Sequence, residues 1–154
     1  MLENVIENVD FALMMKRNIE DMVIHFFEKA QNFAILCNIE EVVFEPELPH
    51  DINKEFRPLT IFFLGGYTFE TARIEDDVLI FEAGFGSDNF GSLVHVPLLS
   101  IMQIIIGETP VLINLATSKS LQNHKLRESV DEDGVKNSMA SFLSNPENSK
   151  FLKK

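Results

Sequence analysis

Four histidines (His25, His50, His95 and His124), one cysteine (Cys37) and a run of carboxylates around Glu45 are the residues of this 154-residue chain whose types could do chemistry. Their spacing does not support it. Glu45, Glu47, His50 and Asp51 can be drawn as a metal cluster, but the stretch also contains Pro46 and Pro49 and reads as a solvated acidic loop. Asp131-Glu132-Asp133-Gly134 matches part of a calcium-binding loop, and the other ligand positions are missing. Cys37 has no histidine or other base beside it to form a thiolate, so a core thiol is expected. His95 lies between Val94 and Val96 in a strand-like run and faces away from both, toward solvent or a ligand. The chain has no GxGxxG, GxxxxGK[ST], CxxC, HExxH or GxSxG. The expectation is a protein that is not an enzyme, with no catalytic residue, metal or cofactor.

The elements that would position these residues fall into two parts. From Met1 to about Phe33, apolar residues recur every three or four positions with no Gly or Pro. This predicts a helix, or two helices joined near Asp10 or Arg17-Asn18. Its apolar side is wide enough to pack on a sheet or on a second copy of itself. Strand patterns follow at Val42 to Phe44, Leu59 to Leu64, Tyr67 to Ile74, Val78 to Phe85 and Leu93 to Val96. Gly65-Gly66 reads as a hairpin turn, Glu75-Asp76-Asp77 as a weaker polar turn and Gly86 to Gly91 as a loop. Pro97 stands where proline favours a first helical turn, so the apolar residues from Leu98 to Ile105 read as a short buried helix ended by Gly107. A last strand is expected at Val111 to Leu115. Residues 1 to 116 therefore form one folded domain. Residues 117 to 154 lose the apolar periodicity and read as a flexible tail, with a short helix over Val135 to Leu143 and a basic, apolar end, Lys150-Phe151-Leu152-Lys153-Lys154.

Charge narrows the partners. Residues 1 to 116 carry six Lys/Arg against 19 Asp/Glu, a net of −13; residues 117 to 154 carry seven against five, a net of +2; together these make the −11 of the chain. An acidic body argues against nucleic acid, whose binding rests on neutralising phosphates. No apolar run approaches the roughly 20 residues that cross a bilayer. The opening MLENVIENVD has acids where a secretory signal needs positive charge, so a cytoplasmic location with no membrane partner is expected.

With catalysis unsupported, the stretch from Phe81 to Ile106 is the most informative. Phe81, Ala83, Phe85 and Gly86 form an F-x-A-x-F-G strand end, and Val94, Val96, Pro97 and Leu98 form V-x-V-P-L leading into Ile101 and Ile104. Here the chain resembles the stringent starvation protein B family, adaptors of the ClpXP protease, over residues 58 to 107. The resemblance implies a homodimer joined through the N-terminal helix. It also implies a groove at Phe81, Ala83, Phe85, Gly86, Val94 and Val96 that binds ssrA-type degradation-tagged polypeptides. The tail residues Lys150, Phe151, Leu152, Lys153 and Lys154 would dock on the ClpX unfoldase. The family's basic residue within F-x-A-x-F-G is Gly84 here.

The fold class expected is mainly β with α: a small SH3/Sm-like, partly open antiparallel barrel with an N-terminal helix, a short helix after the fifth strand and a flexible C-terminal tail. The function expected is a non-enzymatic adaptor. The alternative is a small acidic dimeric chaperone or assembly factor of the secretion or flagellar type that binds a protein partner.

Overall fold

The computed structural model describes residues 1 to 116, so the tail readings, including the short helix over Val135 to Leu143, fall outside the described residues. Helix α1 (Leu2–Ile6) breaks at Asn8, whose side chain accepts from the amides of Asp10 and Phe11 and so caps helix α2 (Val9–Glu28). The break sits beside the expected joint at Asp10. Ala12, Met15, Ile19 and Val23, at three- and four-residue spacing, are the buried stripe of α2. The helix is thus packed on its own domain, and it runs along the turn at Leu98–Ser100.

Among the described residues, eight strands form two antiparallel four-stranded sheets. One has the order β3-β1-β7-β8, with β1 (Phe33–Asn38), β3 (Leu59–Leu64), β7 (Ile101–Ile106) and β8 (Thr109–Ile113). The other has the order β2-β6-β5-β4, with β2 (Val43–Glu45), β4 (Arg73–Glu75), β5 (Val78–Phe85) and β6 (Phe90–Pro97). Phe33, Ile35, Phe62 and Ile104 from the first sheet and Phe81, Val94 and Val96 from the second share one core with Ile19 and Val23 of α2. The result is a mixed α/β domain built on a small, partly open β fold, and the strands do not close into a barrel.

Three assignments differ from the expectation. Phe33–Asn38 is a strand, the one between β3 and β7, where the sequence pattern showed none. Its inward residues Phe33, Ile35 and Cys37 and its outward residues Ala34 and Leu36 are all apolar, so FAILC has no alternation to betray it. The expected strand from Tyr67 to Ile74 divides into helix α4 (Tyr67–Thr71) and the three-residue β4, and Gly66, at φ +56, starts the helix instead of turning a hairpin. After Pro97 there is only one 3-10 turn, Leu98–Ser100, and the rest of the expected helix is strand β7. Four of the six residues of β7 are β-branched isoleucines, which favour the pleated conformation. Gly107, expected as a helix stop, is the φ +63 position of the two-residue turn into β8.

The Asp76-Asp77 turn is stronger than its composition indicated. Both residues have positive φ, 50° and 65°, and they join β4 to β5 as a two-residue hairpin loop. Asp77 also accepts from Lys16 Nζ at 2.8 Å, and its carbonyl accepts from the amide of Leu98 at 3.0 Å. One residue thereby ties the hairpin to α2 and to the β6–β7 connection.

Cys37 is fully buried on β1, and its thiol pKa is pushed up to about 12, first by burial and then by the charge of Glu41. A thiol of this kind carries almost no thiolate at pH 8. We expect no reaction with an aromatic disulfide reagent at pH 8 in the native protein and one equivalent of reaction in denaturant. Rapid native labelling would contradict the core assignment.

Candidate functional site

The β5–β6 hairpin carries all six residues of the expected groove, and the structure sorts them by face. Leu79, Phe81, Ala83 and Phe85 on β5 stand opposite Val96, Val94, Ser92 and Phe90 on β6. Phe81 is 1% exposed, and Val94 and Val96 are 0% exposed. Their side chains fill the space between the two sheets, with the Phe81 ring 5.7 Å from that of Phe62. Ala83 and Phe85 are half-buried and Gly86 is exposed. In this structure the side chains open to a ligand along the hairpin lie toward its turn.

Two clefts flank that turn. The first, about 710 Å³, lies between the hairpin tip and the segment that contains helix α3 (His50–Asn53). Ile52, Phe56, Phe85 and Phe90 supply its apolar walls, while Asp51, Glu55 and Asp88 put carboxylates around it. Phe85 is held in place by rings of Phe44 at 5.5 Å, Phe56 at 6.0 Å and Phe62 at 6.4 Å, so this wall extends the core. Gly86 adopts φ +74, and a Cβ there would lie 2.9 Å from Ile52 Cδ1. The turn therefore needs glycine for both its backbone and its neighbour.

The second cleft, about 680 Å³, borders the other side of the hairpin and includes Gly65, Tyr67, Thr68, Glu82 and Gly84. Its key feature is an open strand edge. Strand β4 pairs with β5 only at Val78, Leu79 and Ile80. One step further, the amide of Glu82 donates to Thr71 Oγ1 at 2.9 Å, so α4 takes over the edge by a side chain. Backbone groups of a strand alternate in direction, so the N–H and C=O of Gly84 point out of the same edge, beyond the end of β4. Gly84 is exposed and faces Gly91 across the ladder, which leaves this part of the sheet without side chains. The Asn89 side chain lies over Gly84, where an added Cβ would meet its Oδ1 at 1.8 Å. The signal in the sequence was the length mismatch between an eight-residue strand and its neighbour, masked because Tyr67 to Ile74 looked like one long strand.

Tyr67 donates to the Glu82 carboxylate at the mouth of this cleft. That hydrogen bond, and then the Glu82 charge, raise the phenol pKa above its ordinary value near 10. The protonated phenol is the form the folded protein favours, so this contribution is present below the unfolded pKa and is lost as pH rises through the folded one. Tyr67 is the only tyrosine. An ultraviolet phenolate titration should give a single midpoint above that of free tyrosine, returning to the free value in Glu82→Gln.

His95 projects from the outer face of the second sheet, away from Val94 and Val96 as expected, with its Nε2 3.4 Å from Glu45 Oε2. His50 and Asp51 lie on α3 and Glu45 on β2, and among the described residues no three His, Cys, Asp or Glu are grouped so that they could hold a metal ion. Among the same residues no helix is long and apolar enough to cross a membrane. The proposed docking residues Lys150 to Lys154, like His124, lie outside the described residues. No family model matches this chain, and neither does any curated protein or solved structure.

Proposed function

We propose that this protein is a non-enzymatic, peptide-binding adaptor that captures an extended segment of another polypeptide at the open edge of β5. The observation that carries the proposal is the exposed Gly84 edge, bounded by the Glu82–Thr71 bond on one side and the Gly86 turn on the other. A peptide added there gains backbone hydrogen bonds from the strand and presents alternate side chains to the clefts beside it. Val94, Val96 and Phe81 serve this role from below, as the rigid core under the hairpin. The sequence resemblance to the stringent starvation protein B family supplies the ligand class: ssrA-type degradation tags, delivered to ClpXP. In this chain Glu45 and Glu82 line the cleft at this edge, Asp51, Glu55 and Asp88 line the cleft on the other side of the turn, and neither cleft has a Lys or Arg among its residues. The segment preferred is therefore apolar and neutral or basic, since an acidic one would be repelled.

The test is fluorescence anisotropy of the full chain with the organism's own stalled-ribosome tag peptide and with variants of it carrying Lys or Asp beside the apolar residues. Binding tighter than about 100 μM, about 5.5 kcal/mol, that weakens from Lys to Asp is the expected result. No binding of any variant at that concentration rejects the proposal. Removing Lys150 to Lys154 should leave peptide binding unchanged and abolish accelerated degradation by ClpXP; unchanged degradation would instead favour an assembly chaperone.

A further inference from the structure

The sheet β3-β1-β7-β8 has a second face, turned away from the core. Its outward positions form two cross-strand rows that span all four strands. The first is Ile61, Leu36, Gln103 and Ile113, and the second is Phe63, Ala34, Ile105 and Pro110. None of these residues is charged, in a stretch of 116 residues that carries 25 charged side chains, six basic and 19 acidic. Ile61 is 60% exposed, Phe63 63% and Ile113 59%. With Leu59, Met102, Val111 and Leu115 beside them, the exposed apolar area is on the order of 700 Å². The largest apolar patch on an ordinary monomer is about 300–600 Å².

We infer that this face is the interface of a homodimer, in which two copies of the sheet pack face to face about a two-fold axis. Three observations select a second copy as the occupant. The area approaches the roughly 800 Å² per partner that a stable interface buries. The body of the protein has a net charge of −13, so two copies repel one another across most of their surface, and this uncharged face is where that repulsion is least. Its two long rows of similar side chains can meet their own copies under a two-fold operation, as an isologous interface requires, in the aligned geometry by which sheets stack about 10 Å apart.

The N-terminal helix is the poorer surface for the same task. Ala12, Met15, Ile19 and Val23 are already spent on the core, and the exposed apolar residues Leu2, Val5, Met14 and Ile24 stand among Glu3, Glu7, Asp10, Glu20 and Asp21, with Lys16 and Arg17 the basic residues of α2. Lys16 is already paired with Asp77, so a second copy brought there would meet mostly carboxylates. The two surfaces make different predictions about which variants dissociate the dimer.

Sedimentation equilibrium and light scattering on the full chain test the inference. The wild type should have the mass of a dimer, and Ile61→Glu combined with Ile113→Glu should shift it to a monomer with unchanged circular dichroism. Met14→Glu should leave the dimer intact. As a measurement that does not depend on the glutamate variants folding, Ile61→Cys carrying a nitroxide, with native Cys37 buried, should give a defined inter-label distance by dipolar spectroscopy. A monomeric wild type, a dimer lost in Met14→Glu but retained in the sheet variants, or no inter-label coupling would each overturn it.

Discussion

Gly84→Pro should reduce binding of an extended peptide at least tenfold while leaving the domain folded. Proline removes the one backbone N–H that the open edge of β5 offers beyond Thr71. Each backbone hydrogen bond contributes about 0.5–1.5 kcal/mol net, and the ring also occupies the position of the incoming strand. An edge position whose N–H faces solvent is one that tolerates proline within a sheet, so the ladder to β6 should survive. The displaced Asn89 side chain, which lies over Gly84, adds a cost on the same side. Gly91→Ala is the matched control, because nothing lies within 4 Å of an added Cβ there and Gly91 stands directly across the ladder. Anisotropy on both variants, with circular dichroism to confirm folding, decides the matter. Wild-type affinity in Gly84→Pro would remove the β5 edge from the binding site.

Phe81→Ala should lower the free energy of unfolding by about 3–5 kcal/mol, read from urea denaturation followed by circular dichroism. The side chain is 1% exposed, packs against Phe62 and shares its cross-strand pair with fully buried Val94. Against a total stability of about 5–15 kcal/mol for a domain, a loss of this size leaves a visible unfolded population in mild denaturant. If Phe81 instead lined a groove, the same substitution would weaken peptide binding with little change in the denaturation midpoint. The experiment therefore separates a residue that builds the platform from one that touches the ligand.

Much of the framework was legible. The α2 stripe, β3 and β5 follow from periodicities of three to four and of two, and they appear at or near the expected boundaries. The outward direction of His95 and the inward direction of Cys37 likewise follow from local pattern. Strand β1 was not legible, because its outward positions Ala34 and Leu36 are apolar like its inward ones, so the burial alternation leaves no trace in the residue types. Helix α4 was missed because Tyr67-Thr68-Phe69 has strand-like composition. Thr68 Oγ1 donates locally to the Gly65 carbonyl at the start of the helix, while the bond from the Glu82 amide to Thr71 Oγ1 exists only because the chain folds back on itself. Ile101–Ile106 fits a buried helix or a buried strand equally by apolar spacing, and its pairing with both β1 and β8 decides for the strand.

By itself, the sequence determined an acidic, motif-poor chain with an amphipathic N-terminal helix, a strand-rich centre and a glycine turn at Gly86, since each of these is set by composition or by nearest neighbours. Tertiary structure alone decided which inward side chains are sealed in the core and which stay open to a ligand. It assigned Phe81, Val94 and Val96 to the interior and, among the described residues, left the Gly84 edge open where β4 ends and an uncharged sheet face uncovered. Period-two alternation states that a strand has two faces, but the layer that covers each face is built from residues far away in the chain.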